Sequence, residues 1–194
     1  MSSTVMNPEG SGTLRSRYVN GVLTFYKTDG SVLYSIDPVN GKIIRTSRNY
    51  QVGTRAKVGT SAGWVLGAAN DLPYVATMAA SQSGGTLVIP IDGLCIGDTI
   101  TGFKVVAQVE SAGGTVTIDA ALRAVTNVAA EPTDALIGAM TQVSVTADTA
   151  VASSKTGLTE TVTSGKSYYL LITATTAGST DIILQHCEVI VTQN

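Results

Sequence analysis

Thr101-Gly-Phe-Lys-Val-Val-Ala-Gln-Val109 and, shortly after it, Thr115-Val-Thr-Ile-Asp-Ala-Ala-Leu-Arg-Ala124 decide the fold. In the first stretch Phe103, Val105, Ala107 and Val109 fall on one side of a two-residue period, with Lys104, Gln108 and then Glu110 on the other. In the second, Val116, Ile118, Ala120, Leu122 and Ala124 alternate with Thr115, Thr117, Asp119 and Arg123. Period two is the signature of a strand with one buried face. A helix would need its apolar residues three and four apart.

The same period extends outward in both directions. Thr86 to Ile91 puts Leu87, Ile89 and Ile91 on one face, and Val143 to Val151 alternates against Ser144, Thr146 and Asp148. Ser167 to Thr175 and Asp181 to Thr192 read as two more strands. Turn clusters divide them: Ser83-Gly84-Gly85, Gly97-Asp98, Ala112-Gly113-Gly114, Ser164-Gly165-Lys166 and Ala177-Gly178-Ser179. Residues 129–140 read as a short helix or a long crossover. Strands punctuated in this way predict an all-β chain whose residues 72–194 form an antiparallel β-sandwich, jelly-roll-like or Ig-like.

Upstream the signal changes. Asn20-Gly21, Asp29-Gly30 and Asn40-Gly41 separate short β-forming runs, each headed by a tyrosine: Tyr18, Tyr26 and Tyr34. These dipeptides accept the positive φ of type I′ turns, so they predict a hairpin meander. Residues 16–60 are therefore read as a β-hairpin attachment and oligomerisation module behind a flexible arm, residues 1–15. Residues 47–62 are polar and basic and read as a loose connection. Trp64 to Ala69 is a shorter element, and 61–71 serves as the linker to the sandwich. So short a meander buries no core of its own. It is expected to pack against identical copies, as a homotrimer, through Tyr26, Tyr34 and Ile36.

Charge divides the chain at the same place. Residues 1–60 carry eight basic residues against three acidic ones, a net of +5, and the remainder nets −7. The basic end is expected to dock electrostatically through Arg15, Arg17, Arg45 and Arg48. Charged residues make up only 13% of the chain and hydrophobic ones 44%, which excludes a highly charged disordered chain. No stretch approaches the roughly 18 apolar residues of a membrane span, so no membrane partner is expected. Met1 to Gly10 has no apolar signal region, so synthesis in the cytoplasm is expected.

Catalytic chemistry is sparse. His186 is the sole histidine; it is placed on a strand face with Ile182, Leu184 and Ile190 and read as a packed or partly exposed strand residue. Without a second histidine the zinc spacings cannot be met. Cys95 and Cys187 sit in apolar runs and read as buried free thiols. No nucleophile elbow, phosphate loop or dinucleotide fingerprint occurs. Asp119 and Asp181 are outward carboxylates read as solvated. Asp92, Asp98, Asp134 and Asp148 lie near loops without the spacing of a calcium loop. The chain is thus expected to be no enzyme, with no metal and no cofactor. Aromatic residues are few, with Trp64 the single tryptophan; Tyr168 and Tyr169 point to opposite faces of one strand, so at most one of them faces outward. Nucleic-acid binding is not expected of a chain with net charge −2.

Several stretches resemble known sequences in style. They are Asn20-Gly-Val-Leu-Thr-Phe-Tyr-Lys-Thr-Asp-Gly-Ser-Val-Leu-Tyr-Ser-Ile-Asp37, Leu72-Pro-Tyr-Val-Ala-Thr-Met-Ala-Ala-Ser-Gln82, Thr86-Leu-Val-Ile-Pro-Ile91, Gly93-Leu-Cys-Ile-Gly-Asp-Thr-Ile100 and Glu110-Ser-Ala-Gly-Gly-Thr-Val-Thr-Ile-Asp-Ala-Ala-Leu-Arg123. They resemble head-fibre, decoration and short tail-fibre proteins of tailed bacteriophages. That resemblance implies a structural virion protein, made in the host cytoplasm. It implies attachment to phage capsid or tail proteins through the N-terminal segment, a trimeric or similar assembly, and a sandwich displayed outward. The alternative expectation is a receptor- or carbohydrate-binding module of a tail fibre, with a host cell-surface glycan as partner.

Overall fold

The structure, a computed structural model, describes residues 15–19, 21–26, 32–37, 42–44, 47–50, 57–58, 63–66, 76–109, 116–127, 131–146, 150–178 and 180–192. All of its regular elements are strands. The chain falls into two compact units: residues up to 46 with the last residues from Thr192, and Ser47–Val191. The expected arm lies outside the described residues apart from Arg15, as do Arg45 and Asp148.

The first unit is an antiparallel meander of β1 (Arg15–Val19), β2 (Val22–Tyr26), β3 (Val32–Asp37) and β4 (Lys42–Ile44), in that spatial order. Val19 pairs with Val22 across the Asn20-Gly21 dipeptide, and Gly21 has φ +81°. That is the left-handed backbone a primed hairpin turn requires. Register separates two faces. Tyr18 pairs with Leu23 and Leu23 with Ile36, while Phe25 pairs with Tyr34, so these five share one face. Arg17 pairs with Thr24 and Thr24 with Ser35, on the other face.

The second unit is built from eight main strands: β8 (Ala76–Met78), β9 (Gly85–Ile91), β10 (Thr99–Val109), β11 (Val116–Thr126), β12 (Thr133–Ala139), β14 (Val151–Thr161), β15 (Lys166–Thr175) and β16 (Ile182–Thr192). One sheet runs β14-β10-β16-β8 and the other β12-β11-β15-β9. Apart from the step from β11 to β12, each of these strands crosses to the opposite sheet, which is jelly-roll topology and settles the choice against an Ig-like order. Four short strands extend this frame. β7 (Trp64–Leu66) pairs with β8, β6 (Lys57–Val58) with β9, β5 (Ser47–Tyr50) with β16, and β13 (Val143–Val145) with β11.

The facing sides of the two sheets make the core. Every residue expected to point inward on β9, β10 and β11 is buried, and Phe103, Leu87, Ile89, Leu122, Leu170, Ile172 and Leu184 are fully so. Each such side chain contributes about 1.5–3 kcal/mol by leaving water. Gly102 lies at a register shift in β10, where a Cβ would come within 2.5 Å of the Lys155 carbonyl oxygen. Only glycine lets β14 approach that closely.

The structure corrects the sequence reading at six points. Residues 47–50 and 57–58, expected in the hairpin module, are strands of the sandwich. The expected linker 61–71 contains β7, whose Trp64 is 4% exposed and part of the core. Residues 133–139 form a strand, not a helix or crossover. The expected strand 143–151 is two elements, β13 and the start of β14. Cys187 is buried as expected, but Cys95 is exposed. In β16 the alternation slips: Ile182 and Leu184 face the core, then Cys187, Val189 and Val191 do, leaving His186 and Ile190 half-exposed. The slip falls between the segment of β16 held by β8 and the segment held by β5.

Candidate functional site

Two neighbouring connections close one end of the sandwich. The β9–β10 loop, residues 92–98, is sewn to the β14–β15 turn by a pair of main-chain bonds: Gly97 N–H donates to the Val162 carbonyl at 2.9 Å, and Val162 N–H to the Asp98 carbonyl at 2.7 Å. Asp98, fully buried, folds the loop on itself, because its Oδ2 accepts from Cys95 N–H at 2.8 Å. The far side of the turn is tied to the end of β11, where Asn127 N–H donates to the Gly165 carbonyl at 2.7 Å and Asn127 Nδ2 to Ser167 Oγ at 3.0 Å. Loops pinned on both sides make a pre-formed site.

Between them lies an open groove of about 560 Å³, within the usual range of small-molecule sites. Leu94 and Ile96 give it an apolar wall, and Ile96 is 66% exposed. Thr163, Ser164, Ser167, Lys166 and Asp92 supply hydroxyls and charges around it. Tyr168 lies at the groove, and its hydroxyl donates to Glu160 Oε1 at 2.9 Å; Lys166 Nζ reaches the same oxygen at 2.9 Å. Burial, reinforced by that carboxylate, pushes the Tyr168 phenol up to about 12. The lysine charge is thus held by a carboxylate of the chain itself.

The outer face of the β12-β11-β15-β9 sheet carries a second constellation. Leu136, Arg123, Tyr169 and Pro90 lie in one cross-strand row. Tyr169 OH donates to Asp134 Oδ2 at 2.9 Å, and Arg123 Nε donates to the same oxygen at 2.9 Å. Burial and the carboxylate both raise the Tyr169 phenol. In the adjoining row Ala139, Ala121, Leu171 and Val88 are register partners. Farther along the same face Asp119, whose carboxyl is raised by burial against a hydrogen bond from Gln142, sits beside Thr173.

The residues singled out for docking fall in both units, and Arg45 lies outside the described residues. Arg17 is exposed on β1, Arg15 lies on the same strand, and Arg48 lies on β5 opposite Val189, in the other unit. Tyr34 and Ile36 share the apolar face of the meander, where Tyr34 stacks on Phe25 at 4.6 Å. Tyr26 alternates onto the opposite face, so the three packing candidates are split. Among the described residues no group of three or more histidine, cysteine or acidic side chains converges on a point that could hold a metal ion. The groove and the Arg123–Asp134–Tyr169 group escaped sequence reading because they join residues as far as 40 and 35 positions apart. The one available signal was the Tyr168-Tyr169 pair, which places one phenol on each face.

No protein-family model matches the chain, and no curated protein sequence matches it. Solved structures with similar architecture exist. A xylan-binding domain of carbohydrate-binding module family 22 from Paenibacillus barcinonensis aligns over 78% of this chain and 96% of its own, with 9% identity and a TM-score of 0.47. A two-module xylanase fragment from Clostridium thermocellum, containing such a module, aligns over 78% and 28%, with 14% identity and a TM-score of 0.43. A family two carbohydrate esterase from Cellvibrio japonicus aligns over 76% and 34%, with 10% identity and a TM-score of 0.40. The chain therefore spans only about a third of the esterase and 28% of the xylanase fragment.

Proposed function

We propose that the chain is a non-catalytic binding module whose sandwich recognises a neutral glycan in the groove at its end. The observation that carries this reading is the groove itself. Its loops are fixed in advance by Asp98 and Asn127, one wall is aliphatic, and its rim offers hydroxyls. Sugars present both an apolar ring face and a ring of hydroxyls, and such a wall and rim complement the two. Lys166 is already neutralised by Glu160, which argues against an anionic ligand. The test is a glycan array followed by calorimetry with the wild type and with Ile96→Asp. Loss of binding in a folded Ile96→Asp supports the site. A wild type that binds no glycan on the array overturns the reading.

A second reading concerns the meander, and a separate observation favours it. Its sheet sorts Tyr18, Leu23, Phe25, Tyr34 and Ile36 onto one face, and Tyr18 is 56% exposed. The other four are half-buried, and a small sheet gains by covering such a face further. This suits a virion surface protein, a head decoration or fibre, that self-associates as a homotrimer and attaches through this unit. Light scattering after size exclusion tests it: a trimer supports the assembly, and a monomer at every concentration removes it.

A further inference from the structure

The outer sheet face beside the groove carries side chains that the groove leaves unused. Pro90 lines the groove and is also the cross-strand partner of Tyr169. Ser167 lines the groove and pairs with Val125, next to the row that holds Tyr169. Pro90 therefore belongs both to the groove and to the row Pro90–Tyr169–Arg123–Leu136. That row crosses three strand spacings, about 14 Å. This is the span of several sugars rather than one.

The row is rigid and electrically quiet. Asp134 fixes the Tyr169 phenol from one side and the Arg123 guanidinium from the other through the same oxygen. A ring held in this way is a pre-organised platform that loses little freedom when a ligand covers it. Arg123 and Asp134 cancel each other's charge and keep N–H groups and a carboxylate at the surface, 26% and 42% exposed. Leu136, 57% exposed, ends the row with an apolar surface. The adjoining positions Leu171, Val88, Ala121 and Ala139 carry no charge.

We propose that this face is an extension of the groove that binds the following sugars of a linear, neutral glycan chain, with Tyr169 as the stacking platform and the Arg123–Asp134 pair as the hydroxyl reader. The inference rests on the glycan-binding reading of the groove. A linear chain of equatorially linked sugars is extended, as is the row of outward positions across the four strands. The charged residues of the row, Arg123 and Asp134, are paired with each other, so the row offers a charged polymer no unpaired charge.

The experiment is calorimetric titration of the full chain with β-1,4-linked gluco-, manno- and xylo-oligosaccharides of one to six sugars. Affinity is expected to rise with each added sugar up to about four and then level. Tyr169→Ala is expected to weaken the longer oligosaccharides by on the order of tenfold, the effect of losing one aromatic platform, and to leave one- and two-sugar binding unchanged. Tyr169→Phe keeps the ring and is expected to retain most of the long-chain affinity, which separates stacking from a merely structural hydrogen bond. Binding that is independent of chain length, or indifferent to Tyr169→Ala, overturns the extension while leaving the groove intact. Absence of binding at every length overturns both.

Discussion

Tyr168 and Tyr169 are adjacent in sequence, yet their hydroxyls donate to carboxylates on opposite sides of one sheet, Glu160 and Asp134, each at 2.9 Å. Period two turns one dipeptide into two separate constellations. Tyr168 locks the groove from the core side, while Tyr169 stands on the outer face.

The first prediction concerns alkaline pH. Folding raises the Tyr168 phenol from 10 to about 12. A group whose folded pKa is raised contributes stability below its unfolded pKa and loses it as pH climbs to the folded one. Burial raises the Cys187 thiol in the same direction, from 9 to about 12. Stability should therefore decline between pH 9 and 12, and in Tyr168→Phe the part of that decline above pH 10 should shrink. Urea melts at a series of pH values check this; an unchanged slope in Tyr168→Phe contradicts it.

Thiol chemistry offers a second check. Cys95 is exposed and Cys187 is buried with a raised pKa. A maleimide or aromatic disulfide reagent should label one thiol per native chain and two in denaturant, because the thiolate is the nucleophile. Rapid labelling of both in the native protein would contradict the burial of Cys187.

Two glycines separate backbone crowding from side-chain crowding. A Cβ at Gly102 meets the Lys155 carbonyl at 2.5 Å, whereas one at Gly138 meets the tip of Leu158 at 2.6 Å. The leucine can turn away and the backbone cannot. Gly102→Ala should cost roughly 1–3 kcal/mol and Gly138→Ala clearly less, as measured by chemical denaturation.

Where the sandwich begins is testable by truncation. Deleting residues 1–46 should leave its thermal unfolding within a few degrees of the parent, since the buried hydrophobic cluster lies entirely beyond that point. Deleting residues 1–60 also removes β5 and β6 and strips partners from β16 and β9. About 2 kcal/mol or more should be lost, at roughly 1 kcal/mol per backbone hydrogen bond left unmade. Equal stability of the two truncations would contradict the assignment of β5 and β6 to the sandwich.

Legibility in the sequence followed apolar alternation. β9, β10, β11 and β15 were readable because one side of each is buried and the other is polar, as in the alternation from Val116 to Ala124. β14 was not, because Val151–Thr161 reads VASSKTGLTET and buries only Leu158. An edge strand pressed on one side by β10 needs few apolar residues. β12 was hidden for the same reason, as four of its seven residues in a row are exposed. The slip in β16 could not be seen either. It arises from two different segments pairing with one strand, and no local pattern encodes that. The groove and the Arg123–Asp134–Tyr169 group depend on which strands become neighbours, so they appear only once the jelly-roll order is known.

The position of β16 has a consequence for biosynthesis. It lies in the middle of its sheet, between β10 on one side and β8 with β5 on the other, yet it follows all of them in the chain. Until residues 182–192 leave the ribosome, the emerging polypeptide has the inward faces of β8 and β10 with no central strand to join them. The sandwich therefore closes only after β16 has left the ribosome, and its apolar faces stay open until then. Such long-range closure makes folding slow and aggregation-exposed, so the yield of soluble chain should depend on chaperone capacity and on the translation rate through residues 182–192.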